Sequence, residues 1–141
     1  MGYEFQVTVD SNTPHTQAKW WAEALGWRVE PSDENFIRGL IAAGHASEDD
    51  TEIFEGTLVW KIGAAISDPD TPARPRVLFQ LVPEGKTVKN RMHFDIRAGD
   101  DRDALVDKLV AAGATVLYRE SQGPYSWVTM TDPEGNEFCV A

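Results

Sequence analysis

The feature that most constrains this chain is that it carries one pattern twice. The segment FQVTVDSNTPHTQAKWWAEALGWRVE, from Phe5, can be laid over MHFDIRAGDDRDALVDKLVAAGATVLY, from Met92, with a small gap. Further on, ISDPDTPARPRVLFQLV from Ile66 matches MTDPEGNEFCVA from Met130, setting Asp68-Pro69 against Asp132-Pro133 and Phe79-Gln80 against Phe138-Cys139. The first pair of segments reads strand, helix, glycine, strand; the second reads turn, strand. A repeated supersecondary unit cannot bury its apolar face alone, so the copies must share one fold.

Each copy marks its helix. Thr13 is placed to cap the first, with Pro14 at N1, where the missing N–H costs nothing. Ala18, Trp21, Ala22 and Leu25 recur at three- and four-residue spacing, and Gly26 stands where a left-handed residue would end the helix. In the second, Asp100 or Asp101 caps, Leu105, Leu109 and Ala112 form a stripe, and Gly113 closes it.

Alternation along the strands separates their faces, because side chains point to opposite sides with a period of two. Phe5, Val7 and Val9 oppose Gln6 and Thr8; Met92, Phe94 and Ile96 oppose His93, Asp95 and Arg97. In the last strands Phe79 and Leu81 oppose Gln80, and Phe138 and Val140 oppose Glu137 and Cys139. The apolar sets are expected under the helices, which leaves a partly polar concave face as the place for a small-molecule cleft. Asp33 to about Val59 has no counterpart. Within it FIRGLIAAG reads as a short helix with Phe36, Leu40 and Ile41 on one side and Gly44 at its end, covering an edge of the sheet or acting as a lid.

Composition narrows the function. With 141 residues, 42% of them hydrophobic, one domain with a continuous core is expected over 1–141. The formal net charge of −10 argues against nucleic acid, whose phosphates it would repel. No run approaches the roughly eighteen apolar residues that span a bilayer, and the opening MGYEFQ has no secretory n-region. A cytoplasmic protein with no membrane partner is expected. Cys139 is the single cysteine, which excludes an internal disulfide and multi-cysteine metal centres. Lys86, Lys89 and Arg91 form the one local basic cluster, read as a solvated turn or rim. No G-x-S-x-G elbow, P-loop or G-x-G-x-x-G occurs, so hydrolase, kinase and dehydrogenase readings lack support.

The pieces KWWAEALGW, VLFQLVPEGKTVKNRMHFDI, LVAAGATV and MTDPEGNEFCV, in this order, resemble the glyoxalase/bleomycin-resistance/dioxygenase (vicinal oxygen chelate) superfamily, in its compact bacterial glyoxalase-like form. DPEGN is the most specific piece: Pro133 fixes φ, while Gly135 and Asn136 tolerate positive φ and return the chain to the sheet. The resemblance implies an α+β fold of two βαβββ modules, about 1–84 and 90–141, forming an open barrel around one cleft with a helical insertion in the first module. It also implies a homodimer, since relatives commonly pair.

Metal-dependent members place ligands at four inward positions, which carry over to Gln6, Gln80, His93 and Cys139. This set departs from the pattern of His, Glu or Gln ending in a carboxylate. Amide oxygens are weak neutral donors, so a tightly held hard divalent ion is disfavoured and no cofactor is expected. A thiolate at Cys139 with His93, and Glu137 on the same face by parity, would instead suit zinc. Cys139 otherwise reads as a small buried hydrophobe.

The ligand pocket is therefore expected to centre on Gln6, Gln80, His93, Asp95, Trp60, Trp127 and Cys139. His93 is the one histidine of three on the predicted cleft face and the candidate general base, with Asp95 and Glu137 placed to orient it and Glu137 a candidate catalytic group. His15 and His45 read as solvated. Trp27, Trp60, Trp127 and Tyr125 are candidates for an aromatic wall; Trp21 reads as core and Trp20 as a subunit contact. Three functions follow: a metal-independent small-molecule-binding domain acting as a lyase or isomerase, a non-enzymatic sequestering protein of bleomycin-resistance type, and a metal-dependent lyase or dioxygenase. The residues leave open whether any reaction is catalysed.

Overall fold

A computed structural model describes residues 1–141, which divide into two compact units, Met1–Glu84 and Gly85–Ala141. The first contains β1 (Val7–Ser11), α1 (Pro14–Leu25), β2 (Arg28–Val29), α2 (Glu34–Ala42), β3 (Thr51–Phe54), β4 (Thr57–Trp60), β5 (Gly63–Ser67) and β6 (Val77–Leu81). The second contains β7 (Phe94–Ile96), α3 (Arg102–Ala111), β8 (Thr115–Gln122), β9 (Tyr125–Thr131) and β10 (Glu137–Val140). Their main sheets share one topology, β1-β6-β5-β2 and β7-β10-β9-β8. In each, the first strand runs parallel to the last and the other pairs are antiparallel. The repeat is thus a βαβββ unit in both halves, with α2 and the β3–β4 hairpin inserted in the first.

Helix α1 packs on β2, β5 and β6. Ala18, Trp21 and Ala22 are buried there, as are Ile66, Val77 and Phe79 on the sheet. Gly26 adopts φ +68°, and Trp27 N–H donates to the Ala22 carbonyl at 2.8 Å. That closes the helix with a left-handed glycine, as its position predicts. In the second unit Val106 and Leu109 of α3 are buried, with Val128, Met130, Phe138 and Val140 on the sheet. Full burial of each such side chain contributes about 1.5–3 kcal/mol.

The aspartate of each turn does the same work. Asp68 Oδ1 accepts from Asp70 N–H at 2.9 Å and Asp132 Oδ1 accepts from Glu134 N–H at 2.9 Å. Each aspartate carbonyl also accepts from the residue three further on, Thr71 at 3.4 Å and Gly135 at 2.9 Å. These are Asx-turns, which Asp adopts because its carboxylate can replace a backbone acceptor. Asn136 strengthens the second: its N–H donates to Asp132 Oδ1 at 3.0 Å and its amide to Oδ2 at 3.1 Å.

Several local expectations need correction. β1 starts at Val7 and β7 at Phe94, so Phe5 and Met92 precede the strands and are 74% and 86% exposed. The parity holds, but pairing to β6 and β10 sets where each strand begins. Register also shifts the repeat by two residues. Phe79 lies opposite Val9, whereas Phe138 lies opposite Phe94, so Thr8, not Gln6, takes the place of His93. In α2 it is Ile37 that is buried, with Leu40 and Ile41 half-buried on the same face, while Phe36, at the edge of that face, is 59% exposed; the helix packs against β4. On α3, Val106 replaces Ala112 in the inward stripe, and Ala112 is exposed. Asp101 makes no side-chain cap, since Gly99–Asp101 form a 3-10 turn that enters the helix directly. Trp20 is buried within the chain, not offered to another subunit.

Candidate functional site

Two groups of side chains stand out, one in each unit. In the first, Leu78 and Gln80 point away from the α1 face of β6, since Val77 and Phe79 occupy that face. With Gly63 and Ala65, their partners on β5, they line a cavity of about 660 Å³. The insertion supplies another part of the lining. Glu55 and Gly56 have φ +49° and +81° in a two-residue turn between Phe54 and Thr57, which pair directly; positive φ at both central residues is the type I′ geometry that suits a tight hairpin. The hairpin contributes Phe54 and Trp60 to the cavity, α1 contributes His15 and Lys19, and the chain after β2 contributes Glu30. The insertion is therefore part of the cavity wall as well as a cover for the sheet.

Every charged side chain at this cavity has an opposite partner. Lys19 Nζ lies 2.7 Å from Glu55 Oε1; the hydrogen bond and charge of Glu55 raise the Lys19 pKa above its ordinary value. Arg76 Nε donates to Glu30 Oε2 at 2.9 Å and its Nη1 to Gln6 Oε1 at 3.1 Å. His15, expected in solvent, is buried, with Nε2 2.7 Å from the Trp60 carbonyl and its ring centroid 5.4 Å from that of Phe54. The helix start that carries it lies under the inserted hairpin, which sequence alone does not place.

In the second unit, register builds a polar row. Asp95 pairs with Cys139, Cys139 with Thr129 and Thr129 with Tyr118. His93 Nε2 lies 3.3 Å from Asp95 Oδ1, and Thr129 Oγ1 lies 3.5 Å from Cys139 Sγ. One donor atom from each of His93, Asp95 and Cys139 falls within 4.8 Å of the others. An imidazole, a carboxylate and a thiol suit zinc better than a hard oxygen-seeking ion. Tetrahedral zinc needs donors about 3.4 Å apart, so these side chains would have to draw in by on the order of 1 Å; His93 and Asp95, both exposed, have room to move.

Glu137 is committed elsewhere. Lys86 Nζ donates to its Oε1 at 2.8 Å and the Asn90 N–H to its Oε2 at 3.1 Å. Burial pushes its pKa up, but the hydrogen bonds from Lys86, Asn90 and its own backbone, with the Lys86 charge, outweigh that and leave it below the ordinary carboxylate value. It holds the β6–β7 connection to the sheet, and Lys86 is a half-buried anchor, not a solvated turn residue. The partner of His93 is Asp95.

Of the residues singled out from sequence, Trp60 and Gln80 line the first-unit cavity, and Gln6 reaches its rim through Arg76. Gln6 lies four positions before Asp10, the partner of Gln80, which is on the order of 13 Å along a strand. His93, Asp95 and Cys139 group in the second unit. Trp127 is half-buried on β9 opposite Glu120, and Tyr125 is exposed beside the hairpin turn. Sequence reasoning missed Phe54, Glu30, Arg76 and His15 as lining; Glu55-Gly56 between two short alternating runs is the signal that could have revealed the hairpin.

Comparison with known proteins agrees with this architecture. A family model described as a glyoxalase-like domain matches residues 6–141. No curated protein matches the chain by sequence. Among solved structures, fosfomycin resistance protein FosX from Mesorhizobium loti superposes with a TM-score of 0.62 at 11% identity, over 99% of this chain and 90% of that one. A glyoxalase/bleomycin resistance protein/dioxygenase family enzyme from Burkholderia phytofirmans PsJN gives 0.59 at 16%, over 96% and 94%. A mutant FosX from Listeria monocytogenes, complexed with Mn(II) and 1S,2S-dihydroxypropylphosphonic acid, gives 0.64 at 6%, over 99% and 89%. At these identities the likeness shows the fold alone. No helix is long and apolar enough to cross a membrane.

Proposed function

The chain belongs to the glyoxalase-like domain family, and from that premise we propose that it is a metal-independent small-molecule-binding domain whose ligand occupies the first-unit cavity. The observation that carries this reading is the cavity itself. At about 660 Å³ it lies within the range of about 300–1,000 Å³ typical of metabolite and drug sites. It also combines aromatic side chains, Phe54 and Trp60, with a few polar groups that fix orientation, Gln80 and Arg76. Binding without turnover satisfies this reading; so does a lyase or isomerase step on the ligand held in the cavity.

Screening metabolites and drugs by tryptophan fluorescence tests it. Hits should quench the wild-type protein, lose most of that quenching in Trp60→Phe, and bind at least about tenfold more weakly to Leu78→Trp, whose larger side chain intrudes on the cavity. Hits indifferent to both changes would place the ligand elsewhere and overturn the proposal.

A second reading, a metal-dependent lyase or dioxygenase, is favoured by one observation, the closeness of His93, Asp95 and Cys139. Bound there, zinc would polarise a ligand oxygen or activate water. Elemental analysis of protein purified without chelator separates the readings. Near-stoichiometric metal that disappears in His93→Ala would favour the second; metal-free protein that still binds hits would favour the first.

A further inference from the structure

We infer that the ligand of the first-unit cavity is a flat, electrically neutral heteroaromatic compound with a carbonyl or lactam edge. This rests on the reading above that the cavity is the ligand site, and adds the class of molecule.

Charge is the first line of argument. The cavity is lined by two cations, Lys19 and Arg76, and two carboxylates, Glu30 and Glu55. Each cation is bonded to a carboxylate, Lys19 to Glu55 at 2.7 Å and Arg76 to Glu30 at 2.9 Å, and Gln6 takes a further Arg76 donor. Both pairs are partly exposed and individually weak, but a charged ligand entering this lining must displace an existing partner from the opposite charge it meets. The overall charge of −10 attracts cations at long range, but salt screens that field within about 8 Å, and the balanced lining gives the bound cation nothing further.

Shape is the second. Gly63, Ala64 and Ala65 contribute consecutive lining positions along β5, and side chains this small leave a ring free to approach the strand. Phe54 and Trp60 bring aromatic surfaces to the same cavity, and such surfaces reward flat partners in offset or edge-on contact. The third line is Gln80, whose exposed amide lies on the cavity side of β6. It presents a donor and an acceptor on one planar group, the complement of a ligand edge that carries C=O and N–H together.

Three tricyclic phenanthridine probes of different charge test this: neutral phenanthridin-6(5H)-one, whose C=O and N–H are adjacent, anionic phenanthridine-6-carboxylate and cationic 5-methylphenanthridinium. Phenanthridinone should bind the wild-type protein at least about tenfold more tightly than either charged probe, a difference of about 1.4 kcal/mol. Its affinity should be unmoved by added salt and should fall at least about tenfold in Leu78→Trp. Glu30→Gln leaves Arg76 without its carboxylate and should raise affinity for phenanthridine-6-carboxylate about tenfold relative to that for phenanthridinone, a gain that misfolding cannot mimic. Tighter binding of a charged probe that Leu78→Trp weakens would overturn the neutral-ligand inference while leaving the cavity as the site. Probes that bind equally well to Leu78→Trp would overturn both.

Discussion

Adding one methyl group at Gly63 tests the spacing of the two strands that line the cavity. A Cβ at this position would lie 2.6 Å from the Phe79 carbonyl oxygen, 3.3 Å from Leu78 Cδ1 and 3.7 Å from Gln80 Cα. The first distance falls roughly 0.7 Å short of the about 3.3 Å at which carbon and carbonyl oxygen rest between strands. The obstacle is backbone, and β6 is held between β1 and β5, so no flexible side chain can swing aside. Overpacking of this kind costs about 1–3 kcal/mol, offset by the about 0.4–1 kcal/mol that Gly→Ala gains from a less disordered unfolded chain. Gly63→Ala should therefore destabilise by about 1–2 kcal/mol net, with a melting temperature lower by about 3–8 °C. Gly39→Ala is the control. Gly39 lies inside α2 with nothing within 4 Å of the added Cβ, so the same change should stabilise by about 0.5–1 kcal/mol. Urea unfolding followed by far-UV circular dichroism, run on both variants, reads the two signs. A Gly63→Ala protein as stable as wild type would refute the close approach of β5 to β6 and the cavity geometry built on it.

The buried turn carboxylate gives another test: Asp132→Ala deprives the Glu134 and Asn136 N–H groups of their acceptor and should cost about 2–4 kcal/mol in denaturant unfolding, whereas Asp132→Asn keeps an acceptor oxygen and should cost less. Glu137 predicts a pH dependence. Because its folded-state pKa lies below the ordinary 4.5, the ionised group stabilises the fold above that value, and the contribution is lost as pH falls through the lower folded value. Unfolding measured across the acid range should show a shallower loss of stability in Glu137→Gln than in wild type; superimposable slopes would show that the Lys86 contact does not form in solution.

How much of this was legible in the sequence depends on the distance over which each feature is decided. Gly26 ends α1 and Gly44, with φ +77°, ends α2 because helix termination is set by a few neighbouring residues. The same holds for Asp68 and Asp132, whose turns depend on bonds to atoms two to four residues away. Alternation correctly assigned Phe79, Phe138 and Val140 to the core face and Gln80 and Cys139 to the other, since parity is a property of the strand itself; Leu81, expected beside Phe79, is 38% exposed because β6 ends there. The strand–helix–strand and turn–strand repeat followed from these local signals occurring twice in one order, and the full βαβββ unit from the family resemblance they carry.

Register was not local. Whether Phe79 meets Val9 or Val7 depends on how two distant segments slide past each other, and parity allows any shift by two. That slide set Thr8 in the place of His93, left Gln6 before the strand to meet Arg76, and brought Asp95 beside Cys139. The burial of His15 was decided by the carbonyl of Trp60 and the occupation of Glu137 by Lys86, each a contact across many residues. The sequence by itself determined which elements form and which side of each is apolar, because those follow from propensity and periodicity. Only the tertiary structure decided which polar groups meet, because hydrogen bonds and ion pairs are settled at the scale of an ångström and by segments far apart in the chain.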